Sequence, residues 1–237
     1  MSRAVDLLCL ANSEKEGGRC VAGLDLDTGE WVRPVAETES GELYPRHYET
    51  REGETPRPLD VLRIYVESDA ASEPQPENAR LADQSWELRS RELSARARRR
   101  LADSVQTDAA LFGDTGRQIT TDAAESISES LTLVRPMTAT LRFREREGNS
   151  DQLRCRFDLG GEEYDLPVTD PQWDRERVSE FDGVQTPSVP AHAFFGNEEE
   201  LLCTISLGTE HEGAHYKLVA AMFGVSSELF SHSGSGV

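Results

Sequence analysis

The chain's 237 residues suffice for one large domain or two small ones, each able to bury a core. Its 44 acidic residues against 25 basic ones give a formal net charge of -19. Only Lys15 and Lys217 among the 25 are lysines, leaving 23 arginines. This is the surface of a protein adapted to salt-rich solvent, where counterions screen self-repulsion. It argues against a disordered acidic chain, since apolar runs recur throughout, and it does not exclude a nucleic-acid partner, because the acidity reports the solvent rather than the ligand. No apolar run reaches the roughly 18 residues of a membrane span and no basic-then-apolar leader opens the chain, so a cytoplasmic, non-membrane location is expected.

In chain order, "AVDLLCLA" (residues 4–11) has the length of a buried strand and "CVAGLDLD" (20–27) alternates. "DTGE" turns the chain into "WVRPV", a short strand whose Pro34 suggests an edge or an exit. A long polar loop separates these from the strand "LDVLRIYVES" (59–68). "SWELRSRELSARARRRLADSV" (85–105) predicts a helix: Trp86, Leu93, Ala97 and Leu101 fall on one face and Ser85 can cap it. Residues 108–130 are acidic, poor in large apolar side chains and expected to be a linker. Strand patterns return in "LTLVRP", "ATLRFRERE", "QLRCRFDLGGEEYDLPVTD", "LLCTISLG" and "HYKLVAAMFG", with Gly160-Gly161 as a two-residue hairpin turn. "PQWDRERVSEF" (171–181) predicts a short helix with Asp170 as N-cap. Cys9, Cys20, Cys155 and Cys203 lie far apart in apolar or alternating runs, which reads as buried free thiols. The whole predicts an all-β protein with a few helices: two OB-like five-stranded Greek-key barrels over 1–107, with a C-terminal helix, and 131–230, a linker at 108–130 and a disordered tail at 231–237.

Three stretches invite chemistry. "HEGAH" (211–215) matches the His-Glu-x-x-His zinc pattern, but Gly213 and strand-like flanks put it on a hairpin connection, where the two histidines cannot share a helical face. No bound metal or cofactor is expected. The cluster Arg89, Arg91, Arg96, Arg98, Arg99 and Arg100 could track a phosphate backbone or could pair with nearby acids on a solvated face. "SEKEGGR" (13–19) lacks the order of a P-loop, and the following strand offers no helix N-terminus to a phosphate. What remains is a strand-to-strand loop whose Asn12, Ser13, Lys15 and Arg19 are donors and whose Gly17 and Gly18 permit close backbone approach; a plain hairpin is the alternative.

The stretch "LLCLANSEKEGGRCVAGLDLDTGEWVRPV" resembles the opening signature of the dual OB domain family, and "QPEN", "LFGDTGRQI", "SLTLVRP", "YDLPVTDPQW" and "HYKLVAAMFG" extend the likeness in order along nearly the whole chain. The resemblance implies two OB-type barrels and a role in binding nucleic acid, with no catalytic residues to carry over; single-stranded DNA or RNA is the expected partner. Lys15, Arg19 and Arg33 are the preferred contacts, and Trp31 and Tyr44 are candidate stackers unless they are core. Two other classes stay open. An enzyme would hold Mg²⁺ on carboxylates such as Asp165, Asp170 and Asp174 between the barrels, and an adaptor would bind only protein partners.

Overall fold

A computed structural model describes residues 2–69, 75–146, 149–173, 189–190, 195 and 199–231. The predicted helix at 171–181 and the predicted tail fall largely outside them; Pro171–Trp173 form a turn in which Asp170 Oδ1 accepts from the Gln172 N–H at 3.0 Å. The chain divides into two compact units, Met1–Ser104 with Asp122–Leu131, and Val105–Thr121 with Thr132–Val237. The stretch expected as a linker is thus shared out between the two.

The first unit contains β1 (Arg3–Lys15), β2 (Gly18–Asp25), β3 (Trp31–Val35), α1 (Pro45–Tyr48), β4 (Val61–Asp69), β5 (Asn78–Leu81), β6 (Glu87–Ser90) and α2 (Ala95–Asp103). The order β1-β2-β3-β5-β4, with β4 pairing back onto β1, closes a five-stranded barrel; β6 lies outside on β4, and β3 runs parallel to β5. This is Greek-key OB topology. Strand alternation sends Val5, Leu7, Cys9, Val21, Val32, Leu62 and Ile64 into the core with Leu43, Tyr48 and Trp86. A bulge between Cys9 and Ala11 keeps that register, and here Gly23 is obligatory: a Cβ on it would lie 2.0 Å from the Leu8 carbonyl oxygen.

Two expectations are corrected. Of the two readings of Pro34, an edge or an exit, the edge fails, because β2 flanks β3 on one side and β5 on the other. Pro34 is tolerated since Arg33 sends its N–H to Glu77 O, so Pro34's nitrogen faces the side that β2, paired only as far as Val32, has already left. The long helix from Ser85 is instead two elements. Trp86, fully buried, joins the barrel core beside β6, and the helix begins only after Ser94, whose Oγ accepts from the Ala97 N–H at 3.2 Å. Burial of one indole outweighs a helical periodicity that spans it.

The second unit adds β7 (Val105–Gln106), β8 (Gln118–Thr120), β9 (Leu131–Val134), β10 (Thr138–Arg146), β11 (Asn149–Leu159), β12 (Glu162–Pro167), β13 (Val189–Pro190), β14 (Glu199–His211), β15 (Ala214–Ser226) and α4 (Glu228–Ser231), while α3 (Thr121–Ala124) begins where the chain passes back to the first unit. The sheet β12-β11-β10-β13 curls against β7-β9-β14-β15-β8. A parallel bridge, Val168 to Val219, joins the third strand of the β10–β12 meander to the last long strand, repeating the β3–β5 relation of the first barrel. Leu141, Cys155, Phe157, Tyr164, Leu166, Cys203, Ile205 and Val219 fill its core. Gly160 and Gly161 (φ +61° and +90°) make the expected two-residue turn. Lys217, one of the two lysines, is fully buried: Nζ donates to the carbonyls of Asp114 (2.6 Å) and Gly116 (2.8 Å), pinning the "LFGDTGRQI" turn. Burial lowers its pKa, and Asp114 acts in the opposite direction. None of the four cysteines is in a disulfide; Cys9, Cys155 and Cys203 are buried and Cys20 partly so.

Candidate nucleic-acid interface

The loop between β1 and β2 is a turn of two residues. Lys15 pairs with Gly18, and Glu16 and Gly17 both take positive φ (45° and 76°), the signature of a type I′ hairpin whose twist matches its strands. Each glycine has its own backbone reason: Gly17 for its φ, and Gly18 because a Cβ would meet the Leu43 carbonyl oxygen at 2.7 Å where Arg19 and Leu43 exchange hydrogen bonds.

Pairing register sorts the predicted residues by face. Ser13 opposite Cys20, Lys15 opposite Gly18, and Trp31 opposite Leu24, with Arg33 two residues on, share the outer face of β1–β2–β3, where OB barrels take oligonucleotides; Asn12 and Arg19 share the inner side with Val21. Most of that outer face is buried. Trp31 is core-like, Ser13 Oγ stands 3.5 Å from Cys20 O, and Arg33 is 1% exposed. The Arg33 guanidinium meets Glu77 Oε1 at 2.6 Å and donates to Ser130 Oγ at 2.9 Å, while Ser130 donates from Oγ and backbone N–H to the two Glu77 oxygens. Glu77 and Ser130 were not singled out from sequence; "QPEN" and "SLTLVRP", quoted there only as motifs, hold them and were the available signals. Asn12 is also buried and donates from Nδ2 to Pro56 O at 2.8 Å.

Lys15 and Arg19, at the hairpin end, keep partial exposure. Arg19 Nη1 stands 3.7 Å from Glu14 Oε1, an ion pair without a hydrogen bond. Burial lowers the pKa of Lys15; the acidic groups of Cys20, Glu42 and Glu16 act against that, and Arg33 adds to it. Beside this corner Tyr44 donates to Glu42 Oε1 at 3.1 Å and carries the Arg46 guanidinium over its ring at 5.8 Å. A partly desolvated ammonium, an arginine and a tyrosine are groups that bind phosphate and stack on a base.

The other stretches are taken up structurally. "HEGAH" crosses the β14–β15 hairpin, with Glu212 and Gly213 at positive φ; His215 is buried with Nδ1 2.9 Å from Gly208 O, while His211 is exposed. Of the arginine cluster, Arg89 pairs with Glu87, Arg91 with Glu54, and Arg96 with Asp27; Arg98 donates to Leu93 O, and Arg100 to the carbonyls of Leu26 and Asp27. Asp165 is bound by Arg142 and Arg154, Asp170 Oδ2 accepts from the Met222 N–H, and Asp174 lies outside the described residues.

Two Greek-key barrels of OB type in one chain define its class. The chain belongs to the dual OB-containing domain family, which matches residues 5–222. No curated protein matches its sequence. Among solved structures it is similar to the Ifi202 HINa domain in complex with a 20-bp double-stranded DNA (8% identity, 95% of this chain and 96% of that one, TM-score 0.30) and to the tetrameric p202 HIN2 (10% identity, 95% and 97%, TM-score 0.26). Likenesses this loose carry no argument about ligand.

Proposed function

We propose that this chain is a nucleic-acid-binding protein of the cytoplasm, without catalysis of its own, that takes single-stranded DNA or RNA on its OB barrels. The observation that carries the reading is the hairpin corner of the first barrel. In a chain with 19 excess negative charges, half-exposed Lys15 and Arg19 stand at the β1–β2 connection, a loop OB barrels use for ligand, with Tyr44 and Arg46 beside them. Arg33 and Trp31, buried on the outer face, are assigned support of that face rather than contact with ligand. The acidic surface fits a salt-rich cytoplasm, in which phosphate contacts are screened and several must act together.

Titration of a labelled single-stranded oligonucleotide at two salt concentrations tests this. A Lys15→Ala/Arg19→Ala variant of unchanged melting temperature is expected to bind more weakly at low salt, equally for all base sequences, and to lose about 0.7 from the salt slope for each phosphate contact removed. Identical affinities and slopes would show that the hairpin is only a connection.

A further inference from the structure

We infer that the outer face of β10–β11–β12 in the second barrel is a phosphate-binding face that takes the sugar-phosphate backbone of a nucleic acid; the inference rests on the nucleic-acid reading above. Alternation and register put Arg142 and Arg144 of β10 and Arg154 and Arg156 of β11 on this one face, with Arg142 directly opposite Arg154 and Thr140 opposite Arg156. Their neighbours Leu141, Leu153, Cys155 and Phe157 point the other way, into the core. The signal was present in the sequence as "LRFRERE" and "LRCRF", arginine at every second residue of two consecutive strands.

Like charges directly opposite each other on a sheet are destabilising. Here Asp165 of β12 makes the arrangement tenable: its carboxylate accepts from Arg154 Nε at 2.8 Å and from Arg142, while Arg154 also holds Gln152 Oε1 at 2.9 Å. The Arg154 side chain is 6% exposed and acts as a positioning residue. The outward cations are the others. Arg142 is 43% exposed, Arg156 is 57% exposed against an equally open Glu163 at 2.5 Å, and Arg144 is exposed with no partner among the described residues. Four arginines against Asp158, Glu163 and Asp165 give the face a net positive charge in a chain whose net charge is -19.

Strands two and three of an OB barrel form its ligand face. In the first barrel the outward positions of those strands, Ala22, Leu24, Trp31 and Arg33, are buried, whereas in the second the counterpart strands β11 and β12 carry exposed Arg156 beside Asp158, Glu163 and Asp165, and the further cations Arg142 and Arg144 stand next to them on β10. Guanidinium groups match phosphate oxygens bidentately. No aromatic side chain stands among the described outward residues of these strands, so the face lacks a stacking platform and reads backbone rather than bases.

The test uses full-length protein and fluorescent oligo(dT), titrated at about 50 and 200 mM salt. An Arg144→Gln/Arg156→Gln variant, both side chains being exposed, is expected to melt with wild type and to lose about 1.4 from the salt slope, two single-strand contacts at roughly 0.7 each. Glu163→Gln, which releases Arg156, is expected to bind more tightly than wild type at the lower salt. A mixed-sequence oligonucleotide of equal length is expected to give the same changes. Wild-type binding with an unaltered slope in the double variant would overturn this inference and leave the proposed function standing. No binding by wild type would overturn both. Binding of inorganic polyphosphate but not of oligonucleotide, lost in the double variant, would assign the face to a free polyphosphate and overturn its assignment to nucleic acid.

Discussion

Arg33 was expected to touch ligand and instead anchors the barrel. With Arg33 and Glu77 side chains both almost wholly out of water, the pair is costly to break from one side. Arg33→Ala should destabilise the protein by about 3–5 kcal/mol in urea unfolding, and adding Glu77→Leu to Arg33→Met should recover most of that loss by removing the stranded carboxylate. Equal losses in the single and double variants would contradict the buried-pair account. Asp165 shows the opposite balance. Burial alone would raise its pKa, but hydrogen bonds from Arg154 and Arg142 outweigh burial and hold it below the ordinary 3.8. A carboxylate with a lowered folded-state pKa stabilises above its unfolded value, and that contribution disappears as pH falls through the folded value. Asp165→Asn is therefore expected to melt below wild type at neutral pH, by the equivalent of about 1–2 kcal/mol, and the gap should narrow as pH falls below 3.8 and close once the folded-state carboxylate is protonated. A gap that does not narrow on acidification would mean that Asp165 acts by shape and not by charge.

The β1–β2 hairpin shows what an element's sequence can and cannot disclose. Gly-Gly was legible as punctuation, but the turn residues are Glu16 and Gly17, and a glutamate at positive φ is no usual turn signal. Asparagine tolerates that conformation better, so Glu16→Asn should raise stability by roughly 0.5–1 kcal/mol and leave the salt slope of binding unchanged, as thermal melts and titration would show. A loss of stability would contradict the I′ assignment. The strands of both barrels, the Gly160-Gly161 turn and the strand context of "HEGAH" were legible because alternation and paired glycines are local signals. The span of α2 was not, because Trp86 is claimed by a core assembled from residues far away in the chain. The burial of Trp31 and Arg33 was likewise hidden, since exposure of a strand's outer face depends on what covers it. The arginines of β10 and β11 were visible as letters, but their sum on one face appears only once the register aligns Arg142 with Arg154.

At the scale of the whole molecule, two OB barrels carry their cations in small, ordered places against a strongly acidic background. Background repulsion weakens any encounter with a polyanion at low salt, and screening weakens the contacts at high salt. On the proposed reading, binding depends on groups held in place by the fold: Lys15 and Arg19 at the end of a fixed hairpin, and Arg142, Arg144 and Arg156 on a three-stranded sheet. Such binding is directed at backbone phosphates, so it should be indifferent to base sequence and steep in salt. The most direct measurement is the salt dependence of wild-type affinity for a labelled single-stranded oligonucleotide, fitted as log K against log salt. A negative slope of about 2 or more, the same for different base sequences, is the predicted result, corresponding to at least three phosphate contacts at roughly 0.7 each. An absence of binding at the lowest salt, or an affinity that does not change with salt, would contradict it.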